Sequence, residues 1–305
     1  MTRQELLSAI EKVKKIATAS RLERMLANPV KYFRAIFFRE IIYRRTRKSW
    51  EVQATTFFGF PMRILLPSAT DIYLTGGKSH PSEIRLARYL IRNLRPNDSF
   101  LDVGAHYGYF SLLAAQLVGG KGRVTALEAS PSTFRVLNKN TSRTENITAI
   151  NKAVSDQKTE LSFFEFPNLY SEYNTIDVSQ FKDKPWLERY QPSEIRIQAD
   201  TLDNLLAEQK AVPSIIKIDV EGAEFQVVSG AKNFLENHSP AVIMEYLPEQ
   251  RGNTAHVKAE AFLNSLHYTP HIIDDEGVLQ PVSNVSIYLH ECGMESDNIA
   301  FVKTS

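Results

Sequence analysis

Phe100-Leu101-Asp102-Val103-Gly104-Ala105-His106-Tyr107-Gly108-Tyr109-Phe110 decides the fold, because it reads as a buried strand that breaks on glycine and restarts as a helix. Phe100 to Val103 is a short apolar run. Gly104 and Gly108 supply a turn in which backbone can approach a ligand, and Tyr109 to Leu117 resumes with helical composition. Nucleotide-like cofactors are usually held this way. Asp102 lies near the carboxyl end of the strand. Burying it is costly without a partner, and a ligand amine or backbone N–H groups would serve.

The pattern on either side repeats. Ser82 to Leu94 is helical in its apolar spacing and stops at Arg95-Pro96-Asn97-Asp98. After the glycine turn a helix over 109–118 ends at Gly119-Gly120-Lys121-Gly122, and a strand from Val124 to Leu127 ends at Glu128. Ser130-Pro131 then opens a helix to about Asn140, followed by a strand over Thr148 to Ile150. Downstream the spacing predicts helices over Leu202 to Glu208, Glu224 to Leu235 and Ala255 to Leu266. Strands are expected over Ile215 to Val220, Ala241 to Tyr246, Pro270 to Ile273 and Ile299 to Val302. Such alternation means an α/β fold, a doubly wound and mostly parallel sheet covered on both faces.

Residues 160–198 interrupt it with eight aromatics among turn residues. They form either a lid or acceptor-binding surface, or a hairpin packed on the sheet. Residues 51–77 alternate between turn signals, so Phe57 to Phe60, Arg63 to Leu66 and Ile72 to Thr75 are expected to make a small antiparallel unit. The chain divides into an arm over 1–50, this β unit over 51–81 and the main domain over 82–305.

Composition sets limits. A chain of 305 residues, 43% hydrophobic and 23% charged, can bury a full core. The single cysteine, Cys292, excludes a disulfide framework and a Cys-rich zinc module. No apolar run approaches a bilayer span and the start is polar, so a cytoplasmic location is expected. The net charge of +1 conceals 13 Lys+Arg against 4 Asp+Glu in residues 1–50, hence +9 there and −8 elsewhere.

Within that arm Leu6, Leu7, Ile10, Val13 and Ala17 recur at helical spacing. Beyond Asn28-Pro29, so do Phe33, Ile36, Phe37 and Ile41, interleaved with arginine. Two amphipathic helices follow. Either they pack on the main domain or a second copy in a homodimer, or they lie as a peripheral surface on an anionic membrane. Nucleic acid is not an expected partner, because the basic excess is confined to the arm.

The cofactor follows from what is absent and present around the turn. Gly104-x-x-x-Gly108 is not the spacing that cradles a pyrophosphate, and no phosphate loop occurs elsewhere, which disfavours a nicotinamide-dependent oxidoreductase. Glu128 ends the second strand, where a carboxylate accepts hydrogen bonds from ribose. With Asp102 it offers one acid to an amino-acid ammonium and one to a ribose, and S-adenosylmethionine carries both groups.

At these residues the chain resembles the FkbM family of S-adenosylmethionine-dependent methyltransferases. The resemblance runs over about residues 95–247. Leu101-Asp102-Val103-Gly104-Ala105 with Gly108-Tyr109-Phe110 carries it, then Ala126-Leu127-Glu128 and Thr201-Leu202-Asp203-Asn204-Leu205. The most specific part is Lys217-Ile218-Asp219-Val220-Glu221-Gly222-Ala223-Glu224 with Gly230-Ala231. It implies a class I methyltransferase sheet of seven strands with a reversed last strand. It also implies methyl transfer to a hydroxyl oxygen of a sugar, glycolipid or polyketide-like acceptor. Adenine should lie near Asn151 and Ala153, although Lys152 occupies the neighbourhood of the acid many related enzymes have there. His106 replaces the family's usual asparagine, and Glu128-Ala129-Ser130 its Glu-Pro-Asn.

Methyl transfer from a sulfonium needs in-line positioning, dryness and removal of the acceptor's proton. Asp219, at the carboxyl end of its strand, is the first candidate base; alternatively it pairs with Lys217 or holds the cofactor's methionine end. Glu221 and Glu245 could converge on the same hydroxyl, or hold a divalent cation through oxygen ligands. Hydrogen bonding to substrate, without metal, is the expectation. The helix dipole explains Glu224; His106, in the cofactor turn, is either a base or, preferably, a turn histidine bonding nearby backbone, and His80 either lines the same mouth or, preferably, is a solvated loop residue. Amino-nitrogen methylation of nucleic acid usually needs an Asp/Asn-Pro-Pro-aromatic block, and Asp219-Val220-Glu221-Gly222 stands in its place. A non-catalytic binding module tethered by the arm is the remaining alternative.

Overall fold

The computed structural model of the chain describes residues 1–207 and 211–303. Helix α1 (Arg3–Thr18) opens on a capping box in which Thr2 and Glu5 exchange side-chain and backbone bonds. Its Leu6, Ile10 and Val13 are buried in the main body, and the helix packs against the one over Pro81–Asn93. α2 (Arg21–Ala27) and α3 (Pro29–Phe37) follow, and α3 runs through a π turn at Phe38–Tyr43 into the short α4 (Arg44–Thr46). The arm therefore divides. α1 packs on the main domain, whereas α2 buries no residue and α3 only Ala35.

β1 (Trp50–Thr55) and β2 (Pro61–Leu66) form an antiparallel hairpin in register from Trp50↔Leu66 to Thr55↔Pro61. This corrects the expected three-strand unit. Phe57 to Phe60 is the hairpin turn, pinned by the Thr56 hydroxyl to the Phe60 backbone at 3.0 Å, and Ile72 to Thr75 lies in helix α5 (Thr70–Thr75). Asp71 in its first turn and a left-handed Gly76 cap favour a helical turn over a strand.

The alternation then appears as expected: α6 (Pro81–Asn93), β3 (Ser99–Val103), α7 (Tyr109–Val118), β4 (Arg123–Glu128), α8 (Pro131–Thr141) and β5 (Ile147–Asn151). Ser130 caps α8 by accepting the Thr133 N–H at 3.1 Å. β6 (Ala153–Val154), β7 (Thr159–Glu165) and β8 (Ser193–Asp200) make a separate small sheet in the order β6-β8-β7. The 160–198 stretch is thus less irregular than its sequence suggests. Its ends are β7 and β8, and its aromatics cluster with one another, Tyr170 stacking on Trp186 at 4.2 Å.

After α9 (Leu202–Ala207) come β9 (Ile215–Ile218), α10 (Glu224–Ser229), α11 (Lys232–Asn237) and β10 (Ala241–Tyr246). The expected end of α9, Glu208, lies outside the described residues. The single helix expected over Glu224 to Leu235 is two, split at Gly230-Ala231. There a Cβ on Gly230 would stand 2.1 Å from the Ser155 carbonyl oxygen, so the backbones press together. α12 (Thr254–Ser265), β11 (Tyr268–Ile273), β12 (Leu279–Pro281), α13 (Val285–Glu291) and β13 (Asp297–Lys303) complete the fold.

The central sheet has the order β12-β11-β13-β10-β9-β3-β4-β5. The run from β10 to β5 is parallel, and β13 is reversed between β10 and β11. Eight strands replace the expected seven. The extra one, β12, is a three-residue edge ending in Pro281, too short to show a period. Apolar side chains of α6 and α7 fill one face of the sheet with those of α1 and the hairpin, and those of α9 to α13 fill the other.

Candidate active site

The carboxyl ends of β3, β4 and β9 are drawn together by backbone bonds. Gly104 and Ala105 N–H both donate to the Leu127 carbonyl at 2.9 Å, and Asp219 N–H donates to the Val103 carbonyl at 3.0 Å. Gly104 has φ +79, and a Cβ there would stand 1.8 Å from the Asp219 carbonyl oxygen, so only glycine lets the two loops meet. Over these ends opens a cavity of about 280 Å³. Ligands of open α/β sheets bind at such a place.

Of the residues expected to hold the cofactor, Gly104, His106, Glu128 and Ala153 line this cavity, while Asp102, Gly108 and Asn151 stand behind its wall. Asp102 finds its partner inside the protein. The register sets it opposite Lys217, whose Nζ lies 3.5 Å from Oδ1, and the Ser111 hydroxyl donates to Oδ2 at 2.6 Å. Gly108 starts α7 at φ +86. The Asn151 amide donates to the Glu128 and Ala129 carbonyls at 2.8 and 3.1 Å, fixing the loop after β4. Glu128 is braced by that loop: its carboxylate accepts the His106 N–H at 2.8 Å and the Ser130 N–H at 2.9 Å, and burial pushes its pKa up to about 7. Leu127, Ala129, Val154, Phe163 and Ile176 give the wall beside it an apolar surface.

His106 is not the backbone-bonded turn residue expected. Its Nε2 lies 3.1 Å from the Ser171 hydroxyl, its ring stacks on Tyr107 at 3.8 Å, and burial pushes its pKa down to about 4. It is a neutral link between the glycine turn and the 166–192 segment.

Asp219, Glu221 and Glu245 come together as expected, with one oxygen from each within 4.8 Å of the others. Burial opposes the charge on Asp219, but Lys217, 3.1 Å away, and Lys78 outweigh it and hold its carboxyl below the ordinary range. Burial and then the Glu245 and Asp219 charges push Glu221 well above that range; burial and then Asp219 push Glu245 up to about 8. At neutral pH the cluster therefore holds one carboxylate, Asp219, and two largely protonated carboxyls. A divalent cation could be held by the same three oxygens.

Glu224 does more than oppose a helix dipole. It is buried, accepts the Gly222 N–H at 3.1 Å and faces His256 Nε2 at 3.4 Å, so it fixes the loop that carries Glu221. The opposite side of that loop is clamped by Thr175 and Gln180, which both donate to the Glu221 carbonyl at 2.7 Å.

Sequence reasoning missed the far wall. Lys78 lies between Glu83 and Glu172, 3.1 Å from the latter, and their charges outweigh burial to keep it firmly protonated. His80 takes the less favoured of its two expected places, lining the cavity rather than standing in solvent, with Nδ1 2.7 Å from the Ser82 hydroxyl. Arg251, Ser296 and Asn298 complete that side. Lys78 and Glu172 are 94 residues apart and each sits in a turn-rich segment, so no local period marks them.

The family model described as "Methyltransferase FkbM domain" matches residues 102–270. No curated protein matches the chain. Among similar solved structures is the methyltransferase FkbM from Methylobacillus flagellatus KT, with TM-score 0.43, 15% identity and coverage of 77% of this chain. This chain spans 52% of that one. A SAM-dependent O-methyltransferase from Thermotoga maritima matches with TM-score 0.39 and 13% identity over 83% of this chain and 78% of that one. Fibrillarin from Aeropyrum pernix, solved with natively bound S-adenosyl-L-methionine, has TM-score 0.40 and 13% identity over 72% of this chain and 74% of that one.

Proposed function

The chain belongs to the FkbM methyltransferase family, and from that premise we propose that it methylates a hydroxyl oxygen of a sugar, glycolipid or polyketide-like acceptor. S-adenosylmethionine is the cofactor, and when bound it supplies an electrophilic methyl group on a sulfonium. The donor set fits it. Glu128 offers carboxylate oxygens to ribose hydroxyls, and Leu127, Ala129, Val154, Phe163 and Ile176 offer an apolar slot to adenine. Gly104 would border the cofactor's amino-acid end.

The observation that carries the reading is the cluster of Asp219, Glu221 and Glu245 beside that slot. The ionised fraction of Glu245 is the proton acceptor: a carboxylate whose pKa is about 8 is a stronger base than Asp219, which the Lys217 ion pair weakens, and that fraction grows as pH rises toward 8. Asp219 orients the hydroxyl through an accepted hydrogen bond. Protonated Glu221 donates to a neighbouring oxygen of the acceptor. Glu83, Glu172 and Glu295 stand on the cavity wall together with Lys78, Lys152 and Arg251, and this mixed, hydrogen-bonding lining supports a neutral polyhydroxylated acceptor.

A labelled-methyl screen over glycans, glycolipids and small polyols, run with and without chelator, tests this. Oxygen-linked product whose formation the chelator leaves unchanged is expected. Transfer confined to nucleic acid, or to nitrogen, would refute the acceptor class, and cofactor binding without any transfer would favour the binding-module reading.

A further inference from the structure

Eight of the 13 exposed large apolar side chains among the described residues lie between positions 22 and 42, so the chain's exposed apolar surface is concentrated on one short stretch. Val30, Phe33 and Phe37 are 65%, 59% and 58% exposed, and with Ile41 they recur at the spacing of one helical stripe. Ala35 and Phe38, between them in sequence, are buried on the opposite side. The stripe therefore faces outward because the helix is already anchored by its other face.

Its surroundings are basic. Residues 21–48 carry nine Lys and Arg against two Glu, and Arg39, Arg44, Arg45 and Lys48 are exposed around the stripe. Exposed phenylalanines bordered by arginines suit a surface that offers hydrocarbon below and anions above. A second copy of the chain is the poorer occupant. A two-fold interface would set this positive patch against itself.

We propose that residues 21–48 dock the protein peripherally on an anionic lipid bilayer, with Val30, Phe33, Phe37 and Ile41 inserted among the acyl chains and the surrounding arginines on the headgroups. No helix among the described residues is long and apolar enough to cross a membrane, so the contact is one of lying on the surface.

Flotation of the full chain with phosphatidylcholine vesicles, with and without phosphatidylglycerol, tests the proposal. The protein should float with the anionic vesicles, less so at high salt, and stay behind with pure phosphatidylcholine. F33S/F37S should bind at least about tenfold more weakly with an unchanged melting curve, since both rings are solvent-exposed. Failure of the wild type to float with anionic vesicles, or flotation of the double variant as well as the wild type, would overturn it. So would a wild-type dimer in light scattering that F33S/F37S converts to monomer, which would make a second copy the occupant.

Discussion

Replacing Glu245 by glutamine separates its electrostatic cost from its chemistry. In the folded chain burial and the Asp219 charge raise this carboxyl from the ordinary 4.5 to about 8, so the native state holds the proton more tightly than the unfolded state. Below about pH 4.5 both states are protonated and the group is neutral to stability; as pH climbs toward 8 the unfolded chain ionises first and folding is disfavoured. The interval from 4.5 to about 8, at about 1.4 kcal/mol per pH unit, sets a ceiling of about 5 kcal/mol. Partial solvent access and sharing of charge with Glu221 reduce this to on the order of 2 kcal/mol. Thermal unfolding of E245Q should therefore match wild type near pH 5 and exceed it by that amount above about pH 8. In the methyl-transfer assay the same variant should lose about a hundredfold or more in kcat while binding S-adenosylmethionine normally. Parallel unfolding curves across the pH range would refute the electrostatic argument, and unchanged turnover would remove Glu245 as the base.

Two further substitutions probe the frame beneath the site. K217M removes the cation between Asp102 and Asp219 and leaves a buried carboxylate uncompensated, for an expected loss of about 3–5 kcal/mol in urea denaturation. A loss under about 1 kcal/mol would show that the pair is not load-carrying. G104A places a methyl 1.8 Å from the Asp219 carbonyl oxygen, and a loss of about 3 kcal/mol or more with abolished cofactor binding is expected from calorimetry and melting. Gly119, at φ +69 and ψ 179, is also in a glycine-favouring conformation but has open space around it, so G119A should cost about 1–3 kcal/mol and leave cofactor binding intact; abolished binding in both variants would mean that backbone strain, not the loop contact, governs Gly104.

The parts of the site legible in sequence are those built by local pattern. Asp102, Gly104, Glu128 and Asp219 each sit at or beside the end of an apolar run, and a parallel sheet brings such ends to one edge. What sequence could not supply was direction and distant company. Asp102 reads as a ligand contact, yet register sets it against Lys217. Asn151 reads as part of the adenine pocket, yet its amide turns to the β4 loop. Lys78 and Glu172 carry no period, and their meeting with Glu83 at the start of α6 depends on how the 166–192 segment folds over the sheet. The arm was half legible: its helical spacing is plain, but only packing distinguishes the buried face of α1 from the exposed face of α3.

The last turn of the arm is also a strut. The Tyr43 hydroxyl accepts the Leu169 N–H at 3.1 Å, and the Arg47 guanidinium lies 4.0 Å over the Tyr190 ring, so the arm holds both ends of the aromatic segment whose middle walls the cavity. Cutting the chain near Trp50 would thus discard a brace along with a surface. A truncated enzyme that turned over poorly would say nothing about lipid, whereas F33S/F37S changes only the outward face and leaves the brace standing.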